Sequence, residues 1–257
     1  MRIGDLVRTL DGIAPVRLAG DWDNVGLLLE GDRDVRKVLV TIDMTPAVLE
    51  EAIEADVDAV LAYHPTIFGG LKRLTSRVAH GPELLALARR GVHLYSPHTA
   101  LDAVQGGIND WLLEAFAGVA GAHPIEPDAQ DPTAGVGRFA SIDAVRGTKV
   151  LRAIKEHLGL EHLRVAGDLD REVHTVGVCP GAGTSVFRKL RDCDLLLTGE
   201  MGHHDVLGWV ARGAVVVLTE HSNTERGYLP RYARAVREAA GVDVTVSARD
   251  RDPLSIR

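Results

Sequence analysis

Hydrophobic positions along this chain come in two textures, short unbroken apolar runs and longer stretches with helical spacing, and the two alternate. Ile3, Leu6, Val7 and Leu10 share one face of a helix that stops before Pro15. Residues 21–30 read as a polar turn feeding a short strand, and 37–43 as a buried strand. Thr45-Pro46 then caps a helix to about residue 55, with proline at the tolerated first position. A strand at 58–62, a helix near 82–90, a strand at 92–96 and a helix at 108–116 follow. Between 117 and 137 the texture is Gly, Ala, Pro and Asp without periodicity, which reads as a linker. The alternation then resumes with a strand at 138–142, a helix at 148–158 and strands at 162–165 and 174–179. A helix at 186–190, a strand at 194–198, a helix at 202–211 and a strand at 214–218 come next, then a helix at 226–240 and a last strand at 242–247.

Strands separated by helices imply crossover connections and mostly parallel sheets covered on both sides. The expected fold class is α/β, as two three-layer α/β lobes with mostly parallel sheets. The first lobe is expected over 1–120, the linker over 121–137 and the second lobe over 138–257.

Composition narrows the function classes. A net charge of −7 with only short basic clusters argues against a nucleic-acid binder held by a basic surface. The first residues lack the apolar core of a signal peptide, and no window approaches 18 uninterrupted apolar residues. Cys179 and Cys193 are lone and widely spaced, which fits a reducing cytosol and offers neither a disulfide framework nor a zinc ribbon. A cytoplasmic protein without a membrane span is the expectation. No Gly-x-Ser-x-Gly elbow occurs, so a serine hydrolase of that kind is not expected.

The candidate chemistry follows from where the polar residues fall. In open α/β sheets ligands bind beyond the carboxyl ends of the strands, where the loops converge. The strand at 58–62 leads to His64, and the one at 92–96 leads to His98 and Asp102. The strand at 194–198 leads to Glu200, His203 and His204, and the one at 214–218 leads to His221 and Glu225. Four strands thus deliver imidazoles and carboxylates to the same kind of position, a donor set suited to Zn²⁺, Mn²⁺, Fe²⁺ or Ni²⁺.

Two readings fit the segment from His221 to Glu225. An i,i+4 pair at a helix mouth holds a metal, or Ser222-Asn-Thr-Glu225 is a capping box that satisfies backbone N–H groups. Pro180-Gly-Ala-Gly-Thr-Ser185 lies between strand and helix but lacks the Walker lysine and the full dinucleotide fingerprint. A tight turn is the preferred reading there. Asp23 and Asn24 are turn formers or point into a site as substrate-binding groups, and Asp43 is expected to help start the next helix.

Trp22-Asp-Asn-Val-Gly26, His64-Pro65, His98-Thr-Ala-Leu-Asp102, Thr198-Gly-Glu200 with His203-His204, and His221-x-x-x-Glu225 occur in one order across nearly the whole chain. This ordered set resembles the Nif3-like dinuclear metal-centre family, whose bacterial members are often labelled type 2 GTP cyclohydrolase I. The chain is similar to the family's short form, without the inserted domain. The resemblance implies two α/β lobes, a homohexameric ring and two divalent ions per chain. It places the metal ligands on His64, Asp102, His221 and Glu225, so that the part near 198–240 completes a site with the first lobe.

The family has a His-His pair where this chain has Tyr63-His64, and a phenol with a pKa near 10 is a poor ligand for such ions. One firm ion site at His64, Asp102 and Glu225 is expected, with a weaker second one at His221 and Glu225. Tyr63, His98, Glu200, His203 and His204 are left for positioning ligands or moving protons. The function expected is a metal-dependent hydrolase acting on a nucleotide or another phosphorylated small molecule. The alternative is a non-enzymatic metal carrier or a scaffold for partner proteins.

Overall fold

The structure, a computed structural model, describes residues 1–255. Among the described residues the chain forms, in order, α1 (Ile3–Ile13), β1 (Gly26–Leu29), β2 (Lys37–Thr41), α2 (Pro46–Glu54), β3 (Ala59–Ala62), α3 (Gly81–Arg89), β4 (His93–Ser96) and α4 (His98–Ala103). It continues with α5 (Ile108–Leu113), β5 (Ala120–His123), β6 (Glu126–Pro127), β7 (Gly135–Val136), β8 (Arg138–Arg146), α6 (Gly147–Leu158), β9 (Arg164–Ala166) and β10 (Glu172–Cys179). The last elements are α7 (Thr184–Phe187), β11 (Leu195–Thr198), α8 (His203–Ala211), β12 (Val215–Leu218), α9 (Leu229–Ala240) and β13 (Asp243–Val246). They divide between two units, Met1–Leu101 with Tyr228–Pro253, and Asp102–Gly227.

The first unit holds a sheet in the order β1-β4-β3-β2-β13. β2, β3, β4 and β13 pair in parallel, and β1 joins β4 antiparallel at the edge. The strands read as near-continuous apolar runs because a parallel sheet covered by helices is buried on both faces. Leu39, Val60 and Leu94 meet Val48 and Ala52 of α2 and Leu84 and Leu87 of α3 in one core. Thr45 caps α2 as its sequence signature predicts, its side chain accepting from the Val48 amide at 3.3 Å. The C-terminal helix α9 packs on β13, β2 and α1, so this end of the chain belongs with its beginning. Asp250 fastens it there, accepting the Ile42 amide at 2.7 Å.

The second unit holds a sheet in the order β5-β8-β10-β11-β12-β9. Its centre, β10-β11-β12, is parallel, while β5 with β8, β8 with β10, and β12 with β9 are antiparallel. The sheet is therefore mixed where mostly parallel pairing was expected. Physically, β8 buries Arg138, Ala140 and Ile142 and exposes Ser141 and Asp143, the alternation of a strand with one face toward solvent. The four-residue runs of β11 and β12 are buried throughout, as central parallel strands are. Leu196 and Val216 pack there with Phe187 of α7 and Trp209 of α8. The stretch read as a linker carries β5, and its β6 and β7 pair as a small ladder. Two-residue strands are too short to give a periodic signal.

Candidate metal centre

In the second unit three parallel strands stop in step, with Cys179 of β10, Thr198 of β11 and Leu218 of β12 in register. Their following loops bring Gly181, Glu200 and His221 to one edge, as the carboxyl-end rule predicts. His221 Nε2 lies 3.5 Å from Glu225 Oε1, and His221 Nδ1 lies 3.5 Å from Glu200 Oε1. The Glu225 side chain is 2% exposed and that of His221 39%, so a buried carboxylate faces an imidazole that solvent can reach.

The local fold here is not the start of an α-helix. His221–Thr224 is a 3-10 turn, a second one covers Arg226–Tyr228, and α9 begins only at Leu229. Ser222 and Glu225 therefore do not flank the first turn of an α-helix, as a capping box would require. Instead the Thr224 hydroxyl donates to the His221 carbonyl at 2.7 Å and accepts from the Gly181 amide at 2.8 Å. Thr198 donates to the Gly181 carbonyl at 3.1 Å and accepts from the Gly183 amide at 3.0 Å, and the Glu200 amide also donates to that carbonyl at 2.9 Å. The glycine loop is thus pinned against the His221 turn from both sides.

That loop was read as a tight turn, and it is more. A Cβ on Gly181 would fall 2.9 Å from His221 Nε2 and 3.0 Å from Glu225 Oε1. A Cβ on Gly199 would fall 2.8 Å from the His221 Cα. Gly181 leaves the space beside the pair clear, and Gly199 lets the neighbouring backbones pack closely. The sequence signal was there in Gly181 and Gly183, but their neighbours across the sheet were not visible from spacing. The backbone at Glu220, just before His221, sits at φ 65° and ψ 156°, a region almost reserved for glycine.

Asp102 is buried, and its carbonyl accepts from Asn109 Nδ2 at 3.0 Å. Burial, and then the charges of Asp102, Glu126 and Glu225, push the Cys179 thiol far above its ordinary range. Asp102, Glu126 and Glu225 thus lie within electrostatic reach of one buried thiol. Burial likewise pushes the Cys193 thiol up to about 12, so neither cysteine offers a thiolate. His203 and His204 start α8, exposed and in edge contact with each other at 5.4 Å between centroids. His203 lines a separate cleft with Arg164, Met201 and Leu218.

In the first unit the same end of the other sheet carries two histidines, each backed by a carboxylate. His64, after β3, has Nδ1 2.9 Å from Asp43 Oδ1, and His98, after β4, has Nδ1 2.7 Å from Asp23 Oδ1. An ionised carboxylate only accepts, so it keeps the proton on Nδ1 and turns Nε2 into the acceptor, the tautomer a metal-binding imidazole needs. Asp43 was expected to serve the following helix; its carboxylate serves His64. Burial alone would raise the Asp23 pKa, but hydrogen bonds from His98 and Thr99 hold it below the usual carboxylate range. Asn24 donates to the Ile67 carbonyl, and Asp23 accepts from Thr99, so both residues tie loops together. Tyr63 is buried, with its ring against His64 and His98 at centroid separations of 5.0 and 5.4 Å. Within the second unit His221 and Glu225 stand together, and within the first His64 stands just past β3 with Asp43 behind it.

An α/β protein with carboxylate-oriented imidazoles at the carboxyl ends of its strands belongs to the class of candidate metal-binding proteins. More narrowly, the chain belongs to the Duf34/NIF3 (NGG1p interacting factor 3) family, whose model matches residues 1–253. It is 40% identical to the Protein NIF3 homolog of Schizosaccharomyces pombe over 97% of this chain and 96% of that one. It is 32% identical to a protein of Clostridium perfringens named GTP cyclohydrolase 1 type 2 homolog, over 99% of each. The fold is also that of a Bacillus cereus protein related to NIF3, with a TM-score of 0.90 at 19% identity, covering 99% of this chain and 98% of that one. Among the described residues no helix is long and apolar enough to cross a membrane.

Proposed function

We propose that this protein binds a divalent metal through His64, His221 and Glu225, with Asp102 as a further ligand, and uses it in hydrolysis. The observation that carries the reading is the His221–Glu225 pair, with Gly181 leaving room for an ion before it. Imidazole with carboxylate, and no thiolate, is the donor set of a catalytic site that keeps an open position. A divalent ion held there supplies Lewis-acid chemistry, polarising a substrate oxygen and easing deprotonation of water. Asp43 orients His64, and Glu200, 3.5 Å from His221 Nδ1, orients that ring and stands where it can take or give a proton. The relative named a GTP cyclohydrolase 1 type 2 homolog supports a nucleotide as the substrate.

A second reading, a metal carrier without chemistry of its own, is favoured by the solvent access of His221, which suits an ion that exchanges. Elemental analysis of chains purified without chelator tests the metal. We expect one to two equivalents in the wild type and a loss in Glu225→Gln. No metal in gently purified protein would overturn both readings. Formate and phosphate release from a nucleotide panel, compared between wild type and Asp102→Ala, then separates hydrolase from carrier. Turnover that survives the substitution would remove this site from any catalytic account.

A further inference from the structure

We propose that Trp22, Phe68 and His98 form a binding subsite for a planar nitrogen heterocycle that carries a ring N–H. Large aromatic side chains are normally buried, and here Trp111, Trp209, Phe116 and Phe187 all are. Phe139 is partly buried, whereas Trp22 and Phe68 are 65% and 56% exposed and stand together with centroids 5.9 Å apart. His98 makes edge contacts with both, at 6.1 Å to Trp22 and 6.5 Å to Phe68. An exposed indole beside an exposed phenyl gives a sequence-tolerant π surface, on which any flat ring can stack.

The surface is built, not incidental. The indole lies back over Gly20, where a Cβ would come within 2.8 Å of its Nε1. The Gly20 amide donates to the Thr99 hydroxyl at 3.1 Å, and the Thr99 hydroxyl and amide both donate to Asp23. The loop bearing Trp22 is therefore locked to the first turn of α4. Asn24 ties the same loop to Ile67, next to Phe68. The loops that bear both rings are tied to each other before any ligand arrives, which lowers the ordering cost of binding.

The polar element fixes the kind of ring. The Asp23 side chain is fully buried and lies 2.7 Å from His98 Nδ1, and in the tautomer that places the proton between them the ring presents Nε2 as an acceptor. His98 also keeps a strained backbone at φ 29°, of the kind that persists where the surroundings over-determine a functional residue. An acceptor beside a stacking surface selects a heterocycle with an N–H at its edge over the same ring without one.

His98 and His64 lie 5.4 Å apart between centroids, so the subsite would hold the ring of a substrate beside His64. That use rests on the hydrolase reading, whereas ring binding itself does not. The test is therefore calorimetric titration of the full chain in chelator, with theophylline and caffeine as probes. The two share one ring system and differ in a single ring N–H replaced by N-methyl. We expect theophylline to bind about tenfold more tightly, the worth of one hydrogen bond. Trp22→Ala should weaken both probes by about fivefold or more, the loss of one stacking face. His98→Leu should abolish the preference while caffeine still binds. The proposal is overturned by no binding at millimolar probe, by affinities that ignore Trp22→Ala, or by equal binding of the two probes to the wild type. Trp22 fluorescence that shifts on protein dilution alone would also overturn it, since a second copy of the chain would then cover the rings.

Discussion

Gly181 and His221 approach so closely that a single added methyl would reach the ring, at 2.9 Å from Nε2. Gly181 also sits at φ 58°, in the left-handed region. Gly181→Ala is therefore expected to do two separable things. Backbone strain should lower stability by about 1 kcal/mol, while crowding of the His221–Glu225 pair should lower metal content well below that of the wild type. Urea unfolding reads the first and elemental analysis the second. Metal content unchanged in a folded Gly181→Ala protein would mean that the ion does not sit in front of this pair.

Arg138 is a stability determinant of the second unit. Its guanidinium is buried, held by Asp110 at 2.6 and 3.1 Å and by the carbonyls of Gly135 and Gly137 at 2.8 and 2.9 Å. Removing one partner of a buried pair leaves an uncompensated charge, which costs about 3–5 kcal/mol. Asp110 is partly exposed, so Asp110→Ala should cost near the lower end. Joint replacement by Arg138→Met and Asp110→Leu should recover much of the loss. Chemical denaturation of the two variants and the wild type checks the order, and a joint variant weaker than Asp110→Ala would contradict it.

The pH dependence of the first unit should report on Glu51. Burial alone would raise its pKa, but hydrogen bonds from Ser247, Ala248 and Arg249 hold it below its ordinary 4.5. A group with a depressed folded pKa contributes stability that is present above the unfolded pKa and lost as pH falls through the folded one. Glu51→Gln should therefore be less stable than wild type near neutrality, and the gap should close as pH drops below about 4.5. Thermal melting across that window measures it. A gap that stays constant into acid would mean that the ionised carboxylate is not what anchors the segment from Ser247 to Arg249.

Much of this was legible in the sequence, and the reasons are local. Apolar runs such as Leu195-Leu-Leu and Val215-Val-Val-Leu218 announce central strands because both faces are buried. The carboxyl-end rule then placed His64, His98, Glu200 and His221 just beyond the ends of strands. What escaped depends on pairing between distant segments. Nothing near Asp43 says that its carboxylate meets His64 twenty-one residues later, and nothing near Gly181 says that Thr224 will hold its amide. Short strands such as β6 and β7 and the one-and-a-half turns of α4 fall below the length at which periodicity can be read. The chain order hid the pairing of β13 with β2, which returns the C-terminal segment to the first unit.

Glu220 tests whether strain at the candidate site is kept for aim or tolerated. Its φ of 65° with ψ of 156° costs a non-glycine residue about 1–3 kcal/mol. Its ion pair with Arg164 at 3.4 Å joins a largely exposed arginine and is worth little. Glu220→Gly removes the steric conflict but enlarges the freedom of the unfolded chain, which takes back about 0.5–1 kcal/mol. The net expectation is a protein as stable as wild type or up to about 2 kcal/mol more stable. If the strain aims His221, the same change should loosen the turn and weaken metal binding even as stability rises. Melting temperature and metal content, measured on one preparation, give both signs. A variant clearly less stable than wild type would show that Glu220 makes a contact stronger than its exposed pair with Arg164.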